Sequence, residues 1–186
     1  MKCIPCELSG VFRIQPEPHA DARGLFARTF CVDEFAAFGL ENVMVQASTS
    51  FNLQRGTLRG MHFQRAPHAE AKLVRCVRGS AYDVVVDLRP ESATYLRWLA
   101  VELTQDNREA LYIPKGCAHG FQTTADNTEL LYQMSVPYAP EFASGVRWND
   151  PLFGIRWPVS QPILSERDAA YPNYVPDAAA LAGTAR

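Results

Sequence analysis

From residue 43 onward the chain alternates short apolar runs with turn signals, a pattern that predicts strands at 43–46, 56–64, 71–77, 81–88, 95–103, 110–113, 120–123 and 129–135. Arg78-Gly79-Ser80 reads as a hairpin connection, Asp87-Leu88-Arg89-Pro90 as a strand exit, and Ala125-Asp126-Asn127-Thr128 as a polar turn before an apolar strand. One helical pattern stands out at 32–38: Asp33 can cap it, Phe35 and Phe38 share a face, and Gly39 supplies the stop. Many short strands with few helices predict an all-β sandwich or jelly roll rather than a parallel α/β sheet. From Pro137 the chain is rich in Pro, Trp and Tyr and is expected to wrap the barrel, and residues 177–186 read as a frayed tail. With no repeat or linker, 1–186 is expected to form a single domain.

Charge and cysteine usage narrow the partners. Eighteen basic against 20 acidic residues leave a net charge of −2, which gives the whole chain no electrostatic footprint for nucleic acid or an anionic membrane. The five cysteines, Cys3, Cys6, Cys31, Cys76 and Cys117, are odd in number and scattered, a usage that fits a reducing cytoplasm. No apolar run approaches transmembrane length, and the start Met-Lys-Cys-Ile-Pro lacks a signal peptide's apolar stretch. The expectation is a soluble cytoplasmic protein.

Two histidines carry the candidate chemistry. His62 lies in Leu58-Arg59-Gly60-Met61-His62-Phe63-Gln64 and His119 in Pro114-Lys115-Gly116-Cys117-Ala118-His119-Gly120-Phe121, both strand-like segments. An interior imidazole can be a metal ligand, a general base or a core residue held by a partner. The two segments resemble the conserved motifs of the cupin superfamily of β jelly rolls, whose metal-binding members carry two histidines one residue apart and a following glutamate. Here Gln64 replaces the second histidine, Glu70 is out of step, and Lys72 would set an ammonium against a divalent cation, so no metal is expected. Arg23, Arg59, Lys72, Tyr132, Asp83 and Asp168 suggest a different use for the histidines. A base oriented by a carboxylate, an ammonium for an enolate and a phenol to return a proton suit proton abstraction beside a carbonyl, and arginines suit a phosphorylated carrier.

Ordered motifs from about residue 12 to 172 resemble the dTDP-4-dehydrorhamnose 3,5-epimerase family of metal-independent cupins. They are Asp21-Ala22-Arg23-Gly24-Leu25-Phe26, the His62 and His119 segments, Ala71-Lys72-Leu73-Val74-Arg75, Tyr82 through Arg89, Val146-Arg147-Trp148-Asn149-Asp150-Pro151 and Leu164-Ser165-Glu166-Arg167-Asp168. The resemblance implies a cupin jelly roll that needs no cofactor and inverts C3, C5 or both in a nucleotide-diphosphate-linked 4-keto-6-deoxy sugar. It implies that His62 is the proton acceptor, Asp168 its orienting carboxylate, Tyr132 the donor on the other face and Lys72 the stabiliser of the enolate. His119, with Asp83 behind it, matches a substrate contact. Arg23, Phe26, Gln46 and Arg59 match positions on the nucleotide, and Arg167 stands where the family usually has a lysine.

Arg28 and Ser48 also match nucleotide positions, but there the family usually has an acidic residue and an asparagine, and near Ala143 it has another acid. A charge reversal at such a position is expected to alter base preference rather than chemistry. The resemblance further implies a homodimer with residues 1–30 as an arm at the interface, for which Ile4, Leu8, Val11, Phe12 and Ile14 supply an apolar start. Alternatives on the same fold are a single-centre epimerase, a ketoisomerase or a non-catalytic sugar-binding cupin.

Overall fold

Alternation along Ser80–Asp87 sets the architecture: Ala81 and Val85 enter one apolar cluster while Val84 and Val86 enter another. A strand that is apolar on both sides must be covered on both, by a second sheet on one and by further chain on the other. The computed structural model, which describes residues 1–176, shows how this is done. One sheet has the order β1 (Lys2–Pro5), β2 (Phe12–Gln15), β10 (Ala110–Ile113), β7 (Lys72–Arg78), β12 (Thr128–Met134), β5 (Gln46–Asn52). The other has the order β13 (Ala143–Gly145), β6 (Leu58–Gln64), β11 (Cys117–Thr123), β8 (Ser80–Asp87), β9 (Trp98–Thr104). All pairings within both sheets are antiparallel, and the result is the expected jelly roll.

Between the sheets lies an apolar core that includes Val74, Cys76, Val85, Leu111, Phe121 and Leu130. The outer face of the first sheet is closed by α1 (Val32–Ala37), whose Phe35 is buried against Leu73 and Tyr112. The outer face of the second sheet is covered by the chain beyond Val146, where Phe153, Ile155 and Trp157 pack on Met61, Val84 and Val86. Gln122 anchors this strap, since its amide both donates to the carbonyl of Val159 and accepts from that residue's N–H, each at 2.9 Å. The strap ends in α2 (Glu166–Ala170), with Ser165 capping its N-terminus. The wrapping expected from Pro137 onward is therefore present, whereas 177–186 lies outside the described residues.

Several expectations are corrected. The first apolar run was read as a strand at 43–46, but β5 runs Gln46–Asn52. Its sequence Gln-Ala-Ser-Thr-Ser-Phe-Asn has little apolar contrast, and it is a strand because it pairs with β12 along its whole length. Gly79, at φ 73°, joins β7 to β8, which lie in different sheets, so it makes a crossover and not a hairpin. The α1 N-cap is Cys31, without a side-chain cap, and Asp33 sits in the first turn. Strands β1 and β2 went unread because each mixes charged or polar residues into four positions, unlike the equally short but wholly apolar Ala110–Ile113. Leu8, Val11 and Ile14 are buried within the chain's own core, which leaves the hairpin of β3 (His19–Asp21) and β4 (Gly24–Phe26) as the projecting part of the N-terminal segment.

Candidate active site

The antiparallel registers gather the polar interior residues into rows. In the first sheet Lys72, Met134 and Gln46 stand opposite one another across β7, β12 and β5, and the next inward row is Val74, Tyr132 and Ser48. In the second sheet Gly145, His62 and His119 are opposed across β13, β6 and β11. An additional residue in β6 makes this alignment possible: three positions separate Arg59 from His62 while two separate Phe121 from His119. Such a bulge re-aims a side chain, here beside the close approach of Gly60 to Gly120.

Between the two sheets these rows line a pocket of about 410 Å³ bounded by Gln46, Ser48, His62, Lys72, Tyr132 and Arg167, with Glu70, Tyr138, Ala143 and Ser144 at its wall. His62 meets Asp168 Oδ1 through Nε2 at 2.7 Å, and its second ring nitrogen has no hydrogen-bond partner among the described residues. Asp168 is 5% exposed, and its other oxygen accepts from the Gly60 N–H at 3.3 Å. Burial pushes the Asp168 carboxyl up, but the hydrogen bonds and positive fields from His62, Gly60 and Arg167 together outweigh it and leave its pKa lowered. The imidazole is thus backed by a carboxylate that stays ionised.

Lys72 Nζ lies 3.1 Å from Glu70 Oε1 and donates to the carbonyl of His62 at 3.3 Å. Its ammonium is held at the pocket wall, where an oxyanion could take a place beside it. Tyr132 stands partly buried on the facing sheet, its ring edge-on to His119 with centroids 5.8 Å apart. Burial, reinforced by the charge of Asp83 and opposed by Arg59, holds the Tyr132 phenol well above its ordinary value. His119 is buried behind it and reaches both oxygens of Asp83 at 2.9 and 3.0 Å.

Not every expected residue converges here. Arg59 donates to Asn52 Oδ1 at 2.8 Å and acts on Tyr132 through its charge rather than from the pocket wall. Arg23, Phe26 and Arg28 belong to the projecting hairpin and its exit, away from the pocket of their own chain. Arg23 pairs with Asp21 at 2.7 Å, Arg28 pairs with Glu34 at 2.7 Å, and Phe26 is 78% exposed.

The roles of other residues at the site escaped sequence reasoning. Gln64 does not face the pocket as a ligand substitute only: its amide donates to the carbonyls of His68 and Pro137 and accepts from the Ala139 N–H at 2.7 Å, which fixes the pocket rim. Glu70, weighed as a displaced metal ligand, is the partner of Lys72. Tyr138 and Tyr171 come from segments without a regular period, and only the tertiary fold brings them to Arg167 and His62.

Comparison with known proteins gives a consistent picture. The family model for dTDP-4-dehydrorhamnose 3,5-epimerase matches residues 5–175. The dTDP-4-dehydrorhamnose 3,5-epimerase of Methanothermobacter thermautotrophicus is 44% identical over 168 residues, 89% of this chain and 90% of that protein. The dTDP-4-dehydrorhamnose 3-epimerase of Streptomyces niveus is 43% identical over 169 residues, 90% of this chain and 81% of that protein. Among solved structures, NovW, a 4-keto-6-deoxy sugar epimerase from the novobiocin gene cluster of Streptomyces spheroides, superposes with a TM-score of 0.88 at 41% identity, covering 93% of this chain and 87% of that one.

Proposed function

This chain belongs to the dTDP-4-dehydrorhamnose 3,5-epimerase family, and from that premise we propose that it is an isomerase acting on a nucleotide-diphosphate-linked 4-keto-6-deoxy sugar. The observation that carries the reading is His62, backed by ionised Asp168, facing Lys72 and protonated Tyr132 across one pocket. A C–H beside a ketone is a weak acid, so its removal requires a base and a stabilised oxyanion together. His62 takes the proton with its free ring nitrogen, Asp168 stabilises the imidazolium, and the Lys72 ammonium takes the charge that develops on the ketone oxygen. Tyr132, on the other sheet, returns a proton to the opposite face of the carbon. The cycle closes when solvent carries a proton from the imidazolium to the phenolate.

Arg167 at the pocket rim suits the diphosphate, and the exposed ring of Tyr138 offers a stacking surface for a planar base. Arg23, Phe26 and Arg28 lie outside the pocket of their own chain, and a homodimer in which the hairpin reaches the partner's pocket would bring them into use. Five free cysteines suit a cytoplasmic setting, and no helix among the described residues is long and apolar enough to cross a membrane.

The test is solvent exchange. Incubation in heavy water with 4-keto-6-deoxyglucose carried on dTDP, UDP, CDP or GDP is expected to place deuterium at C3, C5 or both, as read by proton NMR. The absence of deuterium with every carrier would reject the reading. Product analysis in the same experiment separates inversion of both centres from inversion of one, the activity named for the Streptomyces niveus relative. The carrier preferred reports on the pocket residues Ser48 and Ala143 and on Arg28 in the hairpin.

A further inference from the structure

Tyr171 follows α2 directly, in a stretch without regular structure, yet it touches three parts of the site. Its ring lies edge-on to the His62 ring, with centroids 5.8 Å apart and planes at 62°. Its hydroxyl accepts a hydrogen bond from Arg167 Nε at 2.9 Å, and the guanidinium carbon lies 5.8 Å from the ring centroid. Its backbone carbonyl accepts from Arg147 Nε at 3.3 Å, which ties this stretch to the strap.

The space for that ring is made by a glycine. Gly145 pairs with His62 across β13 and β6, and a Cβ at position 145 would stand 2.6 Å from Tyr171 Cζ and 2.7 Å from Cε2. Any larger residue there would drive the ring off the imidazole. The phenols of Tyr138 and Tyr171 favour the charged guanidinium of Arg167, whose side chain lines the pocket. Asp168 holds one nitrogen of His62, which fixes that end of the ring but leaves it able to swing about the contact. A wall against the ring edge removes that freedom.

We propose that Tyr171 is a positioning residue with two separable effects: its ring confines His62 in the geometry that takes the substrate proton, and its hydroxyl holds Arg167 over the pocket for the anionic part of the substrate. The two effects belong to different atoms, so two substitutions separate them. Tyr171→Phe keeps the wall and removes the acceptor, whereas Tyr171→Ala removes both. An imidazole free to sample other orientations is productive for a smaller share of the time, which lowers turnover. An arginine left with Tyr138 as its one phenol acceptor samples more conformers, which weakens binding.

This inference rests on the epimerase reading, and the experiment distinguishes the two. Steady-state epimerisation and heavy-water exchange are measured for the unsubstituted protein, Tyr171→Phe and Tyr171→Ala, with dTDP-4-keto-6-deoxyglucose and the other three carriers as probes, and folding is checked by thermal unfolding. Tyr171→Phe is expected to raise KM by roughly fivefold and to raise it more than it lowers kcat, as the loss of one charge-assisted hydrogen bond at a wet rim. Tyr171→Ala is expected to add a fall in kcat of about tenfold or more, the scale of a misoriented base. If the unsubstituted protein shows no exchange with any carrier, the epimerase reading fails. If it is active and both variants shift thermal unfolding while kcat and KM stay unchanged, Tyr171 is a packing residue, and if Phe and Ala act alike its ring does not confine His62; either outcome overturns the proposal.

Discussion

The contact between His62 and Asp168 bears on stability and on the proposed chemistry together. The Asp168 carboxyl sits below its ordinary value in the folded protein, so its stabilising effect is complete above the unfolded value of about 4 and is lost as pH falls through the folded one. Urea unfolding at pH 6 and pH 3 is therefore expected to show a loss on acidification that Asp168→Asn lacks in part, while the same substitution cuts kcat/KM at neutral pH by about ten- to a hundredfold, since an amide cannot stabilise the imidazolium by charge. Tyr132 makes a different prediction. A tyrosine phenol is protonated at neutral pH and burial raises its pKa further, and in Tyr132→Phe the proposed base remains while the proposed opposite-face donor is gone. Inversion is expected to fall about a hundredfold or more, with solvent exchange on the His62 face less affected; equal loss of both would assign the donor elsewhere. His62 and Tyr132 stood out in the sequence as polar residues inside strand-like segments, which are costly to bury without a use, whereas the role of Asp168, which lies in a short helix, came from the family resemblance. The roles of Tyr171 and Glu70 were not legible, since nothing local distinguishes a phenol after a short helix or a carboxylate in a loop.

At the level of elements, the long strands β6, β7, β8, β11 and β12 were readable from their own apolar content, whereas β5 was not, because its Ser- and Thr-rich sequence becomes a strand by pairing with β12. That difference matters for the site: Gln46 and Ser48 line the pocket from this very strand. The partner of a strand also lay beyond local reading, since Gly79 permits a turn of either outcome and the sheet that β8 joins is decided by its two apolar faces. The bulge in β6 depends on two glycines. A Cβ at Gly120 would meet Met61 Sδ at 2.7 Å and the Arg59 carbonyl at 2.8 Å, so Gly120→Ala is expected to cost about 2–3 kcal/mol, roughly 5–10 °C in Tm. Thermal unfolding checks this. Because β6 and β11 carry the two histidines, activity is expected to fall further than the unfolded fraction alone would explain.

At the scale of the whole molecule, the pocket and the arginine-bearing hairpin lie apart within one chain. The hairpin residues Arg23, Phe26 and Arg28 project from their own chain, Phe26 with 78% of its surface exposed. If a partner chain uses them, co-expression of two inactive variants, His62→Ala and Arg23→Ala, is expected to restore activity. A mixed dimer then holds one site with an intact His62 and an intact incoming Arg23, and random pairing gives about a quarter of full activity by this counting. Co-expressed variants no more active than either alone would place Arg23 with its own chain's pocket or outside catalysis.

The order of apolar runs and the turn signals determined the jelly roll, because strand alternation is a property of the chain itself, and the ordered motifs carried the resemblance that implied the family, the candidate base and its carboxylate partner. Only the tertiary structure decided that Lys72 is paired with Glu70, that Gln64 closes the rim, that Tyr171 borders His62 and that the arginine-bearing hairpin stands away from the pocket. These depend on cross-strand register, one bulge and the path of the C-terminal strap, which bring together residues up to about a hundred positions apart, and no local pattern encodes such a distance.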